Sequence, residues 1–565
     1  MSLPLLTPRR PAAVWPERIP TPLVAWPVAL LVGAVGAYAA VRPAMGVGLL
    51  LLGFVVWLGA KVLARPVNGI CLALAFFPVY TLLRGLAKML NVPVPLAVVG
   101  MWPEAVLVAM LAGSVLGAIK TRRALPLTWD DAPMVVLVVG GVYGLVLALA
   151  QKLPGAAVYG AHYSLTAMCF YFAARWSRPS RSDLRRVVTI LLVAYVLLAL
   201  FSLADYVMRT DFSIRLAMVI REGFWGQWNP FIFFKWYPRM QSLLYNEQVW
   251  GSLSAFVCLF CFAAFTQARP ARWVWPLLGL ALLCLALSMA RGGMVVFAVG
   301  TLALLPFRAE GNRGVVVPWW AWPLCVVGLT ALVWVTQASL PLPVALGAFA
   351  VVAVLMSVLL GVRERHRLRI VETFLVLGVV LGVTWMVFQQ NEKMASLTKR
   401  VLSVSDKNNK LAYDRVGQWQ RGLDKFALVP SGTGLGTVGI ASFYHGGAGL
   451  EDAIFDGGWF RVLAEQGVPG VLCGAIGTVG LMIVCARRLG RPGRGGLTRV
   501  VGLATFALLA GTTVQNVGQN AFDAFYVPYV LWIFAGLFLA RQEAEEQAGA
   551  ANTLPVAWSA EGERQ

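Results

Sequence analysis

YDRVGQWQRGLDKFALVPSGTGLG occupies residues 413–436 of the chain, and FDGGWFRVLAEQGVPG follows at residues 455–470. The two stretches hold several arginines, a glycine-rich turn and the acidic, aromatic start of a helix. Around them the sequence is very apolar, since 59% of its 565 residues are hydrophobic and only 13% are charged. Such a composition is typical of proteins with many membrane spans. Polar segments of this length therefore separate groups of membrane spans, and they are where functional side chains are expected.

Apolar runs long enough to cross a hydrocarbon layer of roughly 30 Å recur along the whole chain. We predict an all-α, polytopic integral membrane protein with about 12–16 transmembrane helices, because only helices and closed barrels satisfy their backbone groups in lipid. The expected spans lie near residues 23–41, 44–63, 67–83, 101–119, 133–150, 157–174, 187–207, 247–267, 273–289, 293–307, 318–335, 341–361, 370–388, 457–484, 500–516 and 526–540.

The basic residues indicate the orientation of these spans. They concentrate in every second loop, for example at Arg122 and Arg123 and again at Arg487 and Arg488, whereas the short loops between hold few. This alternation is the positive-inside pattern, and it places both termini in the cytoplasm. It also accounts for the net charge of +21 without nucleic acid as a partner.

Two long polar segments fall on the outer face by this count. Each contains a short amphipathic helix that we expect to lie in the membrane interface, although a loop helix packed on the bundle fits the pattern equally well. The predicted segments are a cytoplasmic tail at 1–22, an N-terminal bundle at 23–207, a first outer loop at 208–246, a central bundle at 247–388, a large outer loop at 389–456, C-terminal helices at 457–540 and a disordered cytoplasmic tail at 541–565.

A small polar set remains near the outer face once the cytoplasmic charges are set aside. Arg291 lies in a tight turn flanked by Gly292 and Gly293. Its guanidinium either binds a phosphate or carboxylate or only extends to the interface. Arg461 and Glu465 are four residues apart, so we expect them to meet on one helix face inside a span. Ionisable groups there mark either a functional site or a structural ion pair.

Other candidates surround this pair. Asp456 opens its span, either as a functional acid or as a helix N-cap. Arg239 and Glu247 lie where the first outer loop returns to the membrane. Arg415 and Arg421 lie in DRVGQWQRG, and each is either a functional residue or an ordinary solvent-exposed arginine of the loop. Aromatic and imidazole side chains that could contact a sugar are Trp419, Tyr444, His445 and Trp459.

The GTGLG of residues 432–436 is not a nucleotide-binding loop, because the Lys-Ser/Thr of that motif does not follow it. Its glycines instead predict a turn that lets two backbones approach closely. The three histidines are too dispersed for a metal site, so we expect neither a metal nor another cofactor.

Taken in order, these groups resemble the O-antigen polymerase/ligase family of bacterial envelope glycosyltransferases. The resemblance covers roughly residues 239–475, less than half of the chain. Family ligases have His-Asn where this chain has Asp456 and Gly457, and an acidic residue there looks more like the polymerases. The residues that match the family pattern are Arg239; Ser288, Arg291 and Gly292; Arg415 and Trp419; Pro430, Gly432, Gly434 and Gly436; and Asp456, Glu465 and Gly467.

The resemblance implies a helical membrane fold related to other lipid-sugar transferases of the GT-C class. It implies a bacterial inner-membrane enzyme that takes oligosaccharide from polyprenyl diphosphate at the periplasmic face, inverts the anomeric centre and needs no metal. We therefore expect an O-antigen or exopolysaccharide polymerase. An O-antigen ligase or oligosaccharyltransferase to lipid A core or protein is the first alternative, and a flippase or transporter for lipid-linked sugars is the second.

The expected roles follow from the chemistry of a diphosphate leaving group. Arg239 and Arg291 would bind the diphosphate, and Asp456 would be the base. Glu247 and Glu465 are the reserve candidates for that base. A chain-length regulator is a candidate partner besides the membrane and the lipid-linked substrate. Residues expected to contact sugar or diphosphate are Arg415, Arg421, Trp419, Tyr444, His445, Trp459 and Arg461.

Overall fold

A computed structural model describes residues 56–89, 100–208, 240, 242–244, 246–265, 271–288, 290–304, 307, 410–439, 441–442, 457–490, 496–522 and 526–553. Within these ranges every regular element is helical. The chain divides into one unit that ends at Ala64, of which residues 56–64 are described as helix, and a larger unit from Arg65 to Gln565. The expected spans near 23–41, 318–335, 341–361 and 370–388 and both predicted interface helices lie outside the described residues.

The helices of the larger unit agree closely in position with the apolar runs of the sequence, except for the polar helix at Lys410–Leu428, which lies in the predicted large outer loop. In chain order they are α1 Val67–Met89, α2 Trp102–Thr121, α3 Ala132–Ala150, α4 Pro154–Gly160, α5 Thr166–Trp176, α6 Arg181–Met208, α7 Glu247–Phe265, α8 Val274–Ser288, α9 Arg291–Leu304, α10 Lys410–Leu428, α11 Gly458–Leu489, α12 Leu497–Gly518 and α13 Val527–Thr553. A π-helical turn, Ala161–Leu165, joins α4 to α5, and short 3-10 turns occur at Trp129–Asp131 and Ser242–Leu244.

Six of the described helices are long and apolar enough to cross a membrane: α2, α3 with its preceding turn, α6, α7, α11 and α12. The side of α2 that faces away from the bundle is apolar, so this helix requires a lipid environment. Val108, Leu116 and Ile119 are each more than half exposed, and a helix that is apolar all round is stable only in an apolar environment. The chain is therefore an α-helical membrane protein.

The inner helices of the bundle are α7 and α12. Every residue of α12 from Val500 to Gly518 is buried, and α12 packs against α7, α9, α11 and α13. Glycine lets α7 and α9 approach closely, since a Cβ on Gly293 would lie 2.5 Å from the carbonyl carbon of Gly251. Larger side chains at this crossing would separate the two helices.

The bundle has two ends of different composition. At the first, which we call the basic end, Arg488 at the end of α11 pairs with Asp130 and with Glu546. At the second, the polar end, the Gly458 N–H at the start of α11 donates to the Gln519 carbonyl, 3.2 Å away. Since α11 connects the two ends, contacts at one of them are separated from those at the other by the length of a 32-residue helix.

A buried ion-pair cluster closes the basic end. Arg175 and Asp131 are 1% and 0% exposed, and the Arg175 Nε lies 3.0 Å from the Asp131 Oδ1. The Tyr171 hydroxyl donates to the same oxygen at 2.6 Å, and a second guanidinium nitrogen lies 2.6 Å from Glu543. The cluster thus joins the start of α3 to α5 and α13 through the buried charges of Arg175 and Asp131 and the partly exposed Glu543.

The tail predicted to be disordered from residue 541 is instead helical as far as Thr553. Its acidic residues explain the difference, because their partners lie far away in sequence. Glu543 pairs with Arg175, Glu546 with Arg488, and Glu545 accepts from Thr498 at 2.9 Å. These contacts hold the extension of α13 against the basic end. The amino-acid composition of the tail alone does not predict them.

Replacing Arg175 with alanine should strongly destabilise the protein. The substitution leaves the carboxylate of Asp131 buried without its counter-charge, which costs about 3–5 kcal/mol. Arg181→Ala is the matched control, because this arginine is 79% exposed and lies 3.4 Å from Glu545; an exposed pair contributes less than about 1 kcal/mol. Thermal unfolding in detergent measures both variants, and equal losses of Tm would contradict the role of the buried cluster.

Candidate functional site

A break in α11 shapes the polar end. Gly467 has φ 62° and ψ −159°, so the helix is interrupted one turn after Ala464 and two residues before Pro469. Helical hydrogen bonds cannot continue across such a residue, and the carbonyl groups before it need other donors. The Thr433 N–H reaches the Ala464 carbonyl at 3.0 Å. The sequence pattern Gly-x-Pro is the local cause of the break.

The glycine-rich segment supplies those donors, and we call residues 430–439 the glycine loop. The Gly434 N–H donates to the Glu465 carbonyl at 2.8 Å, and the Pro430 carbonyl accepts from Val468 at 3.4 Å. Both contacts lie on the broken part of α11. The glycine loop therefore satisfies backbone groups that the helix itself leaves open.

The same loop packs tightly against α3. The Leu435 N–H donates to the Gly144 carbonyl at 2.8 Å. Gly434 has φ +94°, and a Cβ there would lie 2.6 Å from the Ala148 Cα. The close backbone approach that the sequence predicts for these glycines is confirmed.

Arg461 and Glu465 occupy the centre of this arrangement. The Arg461 guanidinium lies 2.6 Å from the Glu465 Oε2, which confirms the contact predicted from their spacing. The other carboxylate oxygen accepts from the backbone N–H groups of Val438 and Gly439, both at 3.1 Å. Glu465 is fully buried, and its two oxygens accept three hydrogen bonds. This geometry gives Glu465 a positioning role and leaves it poorly placed as a reserve base.

Helix α10 contributes an indole ring next to the start of α11. Trp419 stacks on Phe460 with ring centroids 5.3 Å apart and an interplanar angle of 14°. Its five-membered ring also lies against Gly457, where a Cβ would be 2.7 Å from the indole nitrogen. One face of Trp419 is thus occupied by protein. Arg421 follows on the same helix and is half-buried.

Arg291 is the first residue of α9 and is half-buried. The turn before it is short: the Ser288 hydroxyl accepts from the Ala290 N–H at 3.2 Å. Gly292 lies against α12, since a Cβ there would be 2.9 Å from the Gln519 amide carbon. The Arg291 turn therefore belongs to the same end of the bundle as the start of α11.

Four carboxamide side chains at the end of α12, not singled out from the sequence, line this end. Gln515 donates to the Ser252 hydroxyl at 3.1 Å and to the Gln519 oxygen at 2.9 Å, and Asn516 accepts from the Ala521 N–H at 3.0 Å. All are buried: Gln515, Asn516, Gln519 and Asn520. Gln515 and Asn516 belong to α12, and Gln519 and Asn520 directly follow it. In the sequence, these four carboxamides at the end of an apolar run were the available signal.

The remaining predicted residues divide into three groups. Trp459 begins α11 and donates its indole N–H to the Thr513 carbonyl at 3.3 Å, so it packs into the bundle. For two residues the helical backbone is described and the side chain is not: Glu247 at the start of α7 and Arg415 in α10. Outside the described residues lie Arg239, Tyr444, His445 and Asp456.

Two described residues directly follow members of this last group in the sequence. The Met240 N–H, directly after Arg239, donates to the Leu287 carbonyl at 3.1 Å, which is one residue before the Arg291 turn begins. Asp456 directly precedes Gly457, which contacts Trp419. Met240 and Gly457 therefore both lie at the polar end.

Comparison with known proteins assigns the chain to no group: no family model matches it, and no curated protein matches it. Among the described residues no cluster of three or more His, Cys, Asp or Glu side chains could hold a metal ion. The function must therefore be argued from the polar end itself.

Replacing Gly434 with alanine should displace the glycine loop. Its φ is left-handed, which costs a non-glycine residue about 1–2 kcal/mol, and the new methyl group would collide with α3. Gly496→Ala is the control, because Gly496 also has a positive φ but has open space around it. A collision of this kind adds about 1–3 kcal/mol, so Tm should fall further for Gly434→Ala. Equal falls in Tm would show that the contact with α3 is not tight.

Glu465→Gln should loosen the glycine loop while keeping the shape of the side chain. It leaves the Arg461 charge buried and uncompensated, at a cost of about 3–5 kcal/mol. Hydrogen exchange at the Val438 and Gly439 amides should become faster. Adding Arg461→Met removes the uncompensated charge, so the double variant should be more stable than Glu465→Gln alone. A double variant with lower stability would contradict the coupling between the two side chains.

Proposed function

We propose that this protein is a glycosyltransferase that polymerises oligosaccharide repeat units carried on polyprenyl diphosphate. The observation that carries the proposal is the convergence, at one end of the bundle, of the Arg291 turn, the α10 residues Trp419 and Arg421, the glycine loop and the start of α11. These are the parts of the sequence that resemble the O-antigen polymerase/ligase family, in segments far apart along the chain. Arginine and aromatic residues together suit a ligand that has both phosphate and sugar groups.

The diphosphate needs positive charge more than it needs a proton, because it is already a good leaving group. Arg291 and Arg239 would neutralise the charge that develops as it departs. Arg415 or Arg421 would assist from α10. A preorganised donor of this kind contributes about 10²–10³ in rate.

The acceptor hydroxyl needs a base. Its oxygen attacks the anomeric carbon as the bond from that carbon to the diphosphate oxygen breaks, and the electron pair leaves with the diphosphate. The hydroxyl proton passes to a carboxylate, for which Asp456 is the proposed residue and Glu247 the reserve. Glu465 acts through the glycine loop, because its carboxylate is buried and bonded to Arg461.

The charge pattern supports an orientation. By the positive-inside rule the basic end would lie in the cytoplasm and the polar end on the outer face, which the resemblance implies is the periplasmic face of a bacterial inner membrane. The substrate would reach the site from the outer leaflet, where its diphosphate lies at the level of the lipid headgroups. Trp419 and Arg421 would contact it from α10.

An assay with purified protein and polyprenyl-diphosphate oligosaccharide tests the proposal directly. A ladder of longer lipid-linked products with release of polyprenyl diphosphate, in the absence of nucleotide, supports a polymerase. Transfer only after addition of lipid A core or a protein acceptor makes the protein a ligase. Movement of the lipid across vesicles without chemical change makes it a flippase.

Arg291→Ala should reduce the rate of polymer formation by about 10²–10³, because it removes a donor to the leaving diphosphate. Arg291→Lys should recover only part of the rate, since an ammonium group does not form paired hydrogen bonds with phosphate. Arg272→Ala provides the control: Arg272 is exposed and precedes α8 at the basic end. Product ladders measure the rates, and a normal ladder from Arg291→Ala would remove Arg291 from the site.

A further inference from the structure

A second set of ionisable side chains lies in the N-terminal helices and has no role in the proposed reaction. Glu104 is in the first turn of α2. Its Oε1 lies 2.6 Å from the His162 Nδ1 and accepts from the Thr166 hydroxyl at 2.8 Å. Glu104 and His162 are partly exposed, at 24% and 13%. A carboxylate inside a membrane helix is costly and usually marks a functional site.

The π-helical turn between α4 and α5 brings both partners to this carboxylate. His162 lies within the turn and Thr166 directly follows it. The Thr166 hydroxyl also contacts the Ala161 carbonyl five residues earlier, at 3.3 Å. π-helical turns are rare and are frequently found at functional sites. Gly160, directly before the turn, is next to the glycine loop, since a Cβ there would lie 2.8 Å from the Leu435 carbonyl carbon.

Two buried atoms in this turn of α2 lack a partner among the described residues: the Glu104 Oε2 and the Trp102 Nε1. The first is an acceptor and the second is a donor. Leaving such an atom unpaired is unfavourable. An anion would be repelled by Glu104, and a cation could not accept from the indole. A ligand rich in hydroxyl groups satisfies both, because each hydroxyl donates and accepts.

Aromatic rings next to Glu104 fit the same ligand class. Trp102 contacts Phe76 and Phe77, each with ring centroids 5.0 Å apart. Phe77 in turn contacts Tyr529 of α13 at 4.6 Å. Trp102 and Phe76 remain partly exposed. Aromatic surfaces beside hydrogen-bonding groups are the usual composition of a site for a small polar ligand.

We infer that Glu104, held by His162 and Thr166, binds a neutral sugar ring of a lipid-linked oligosaccharide. The inference rests on the proposed function, in which two lipid-linked substrates meet at the polar end. Diphosphate is excluded from this place by the carboxylate, so it binds at the Arg291 turn. The second sugar-binding position lies across the glycine loop, against α2 and the π-helical turn.

Saturation-transfer NMR with the protein in nanodiscs tests the inference. The probe is the oligosaccharide released by mild acid from the native lipid-linked repeat unit. Glu104→Gln keeps the shape but replaces an acceptor with a donor, and it should weaken binding about 10- to 100-fold, as expected for a hydrogen bond to a charged group. Asp183→Asn is the control, because Asp183 pairs with Arg65 at the basic end, and it should bind the probe normally.

Three results would overturn the inference: no signal with the wild-type protein, an unchanged signal with Glu104→Gln, or an equal loss with Asp183→Asn. Thermal unfolding of each variant separates loss of fold from loss of binding.

The ladder assay separates this inference from the proposed function. A wild-type protein that binds the oligosaccharide through Glu104 but makes no ladder leaves the sugar site in place and removes the polymerase. With an active enzyme, Glu104→Gln should raise KM for the acceptor about tenfold with little change in kcat.

Discussion

The carboxylate of Glu465 holds the polar end together. One oxygen is bound by Arg461, and the other accepts from two backbone amides of the glycine loop. The loop in turn bonds to the interrupted part of α11 and to α3. A single buried side chain thus fixes a non-helical segment inside a helical bundle. Without it, the loop would lose two of the hydrogen bonds that hold it against α11.

The two ends use the same residue types for different purposes. At the basic end, Arg175 meets Asp131 and Glu543, which come from separate helices, so the charges join distant parts of the chain. At the polar end, Arg461 and Glu465 come from one helix, and their contact positions a neighbouring loop. Buried charges are costly unless they are paired. In this protein the pairs between helices stabilise the bundle, whereas the pair within α11 shapes the candidate site.

Features that depend on local spacing could be predicted from the sequence, and those that depend on distant partners could not. Hydropathy located the apolar helices among the described residues but not the polar helix α10. The four-residue separation predicted the contact between Arg461 and Glu465. The helical tail was missed because the partners of Glu543 and Glu546 are remote in sequence. The carboxamides of α12 were missed because Asn and Gln carry no charge, so they do not interrupt an apolar run conspicuously. Burial of Glu465, which changes its role, depends on the fold of the whole loop.

The interruption at Gly467 also has a consequence for how the protein is made. A helix that enters lipid with open carbonyl groups needs donors at once. Those donors belong to the glycine loop and come earlier in the chain than α11, and α3, against which the loop packs, comes earlier still. During synthesis α3 is therefore made first, the glycine loop second and α11 last. When α11 is inserted, the donors for its open carbonyl groups have therefore already been synthesised.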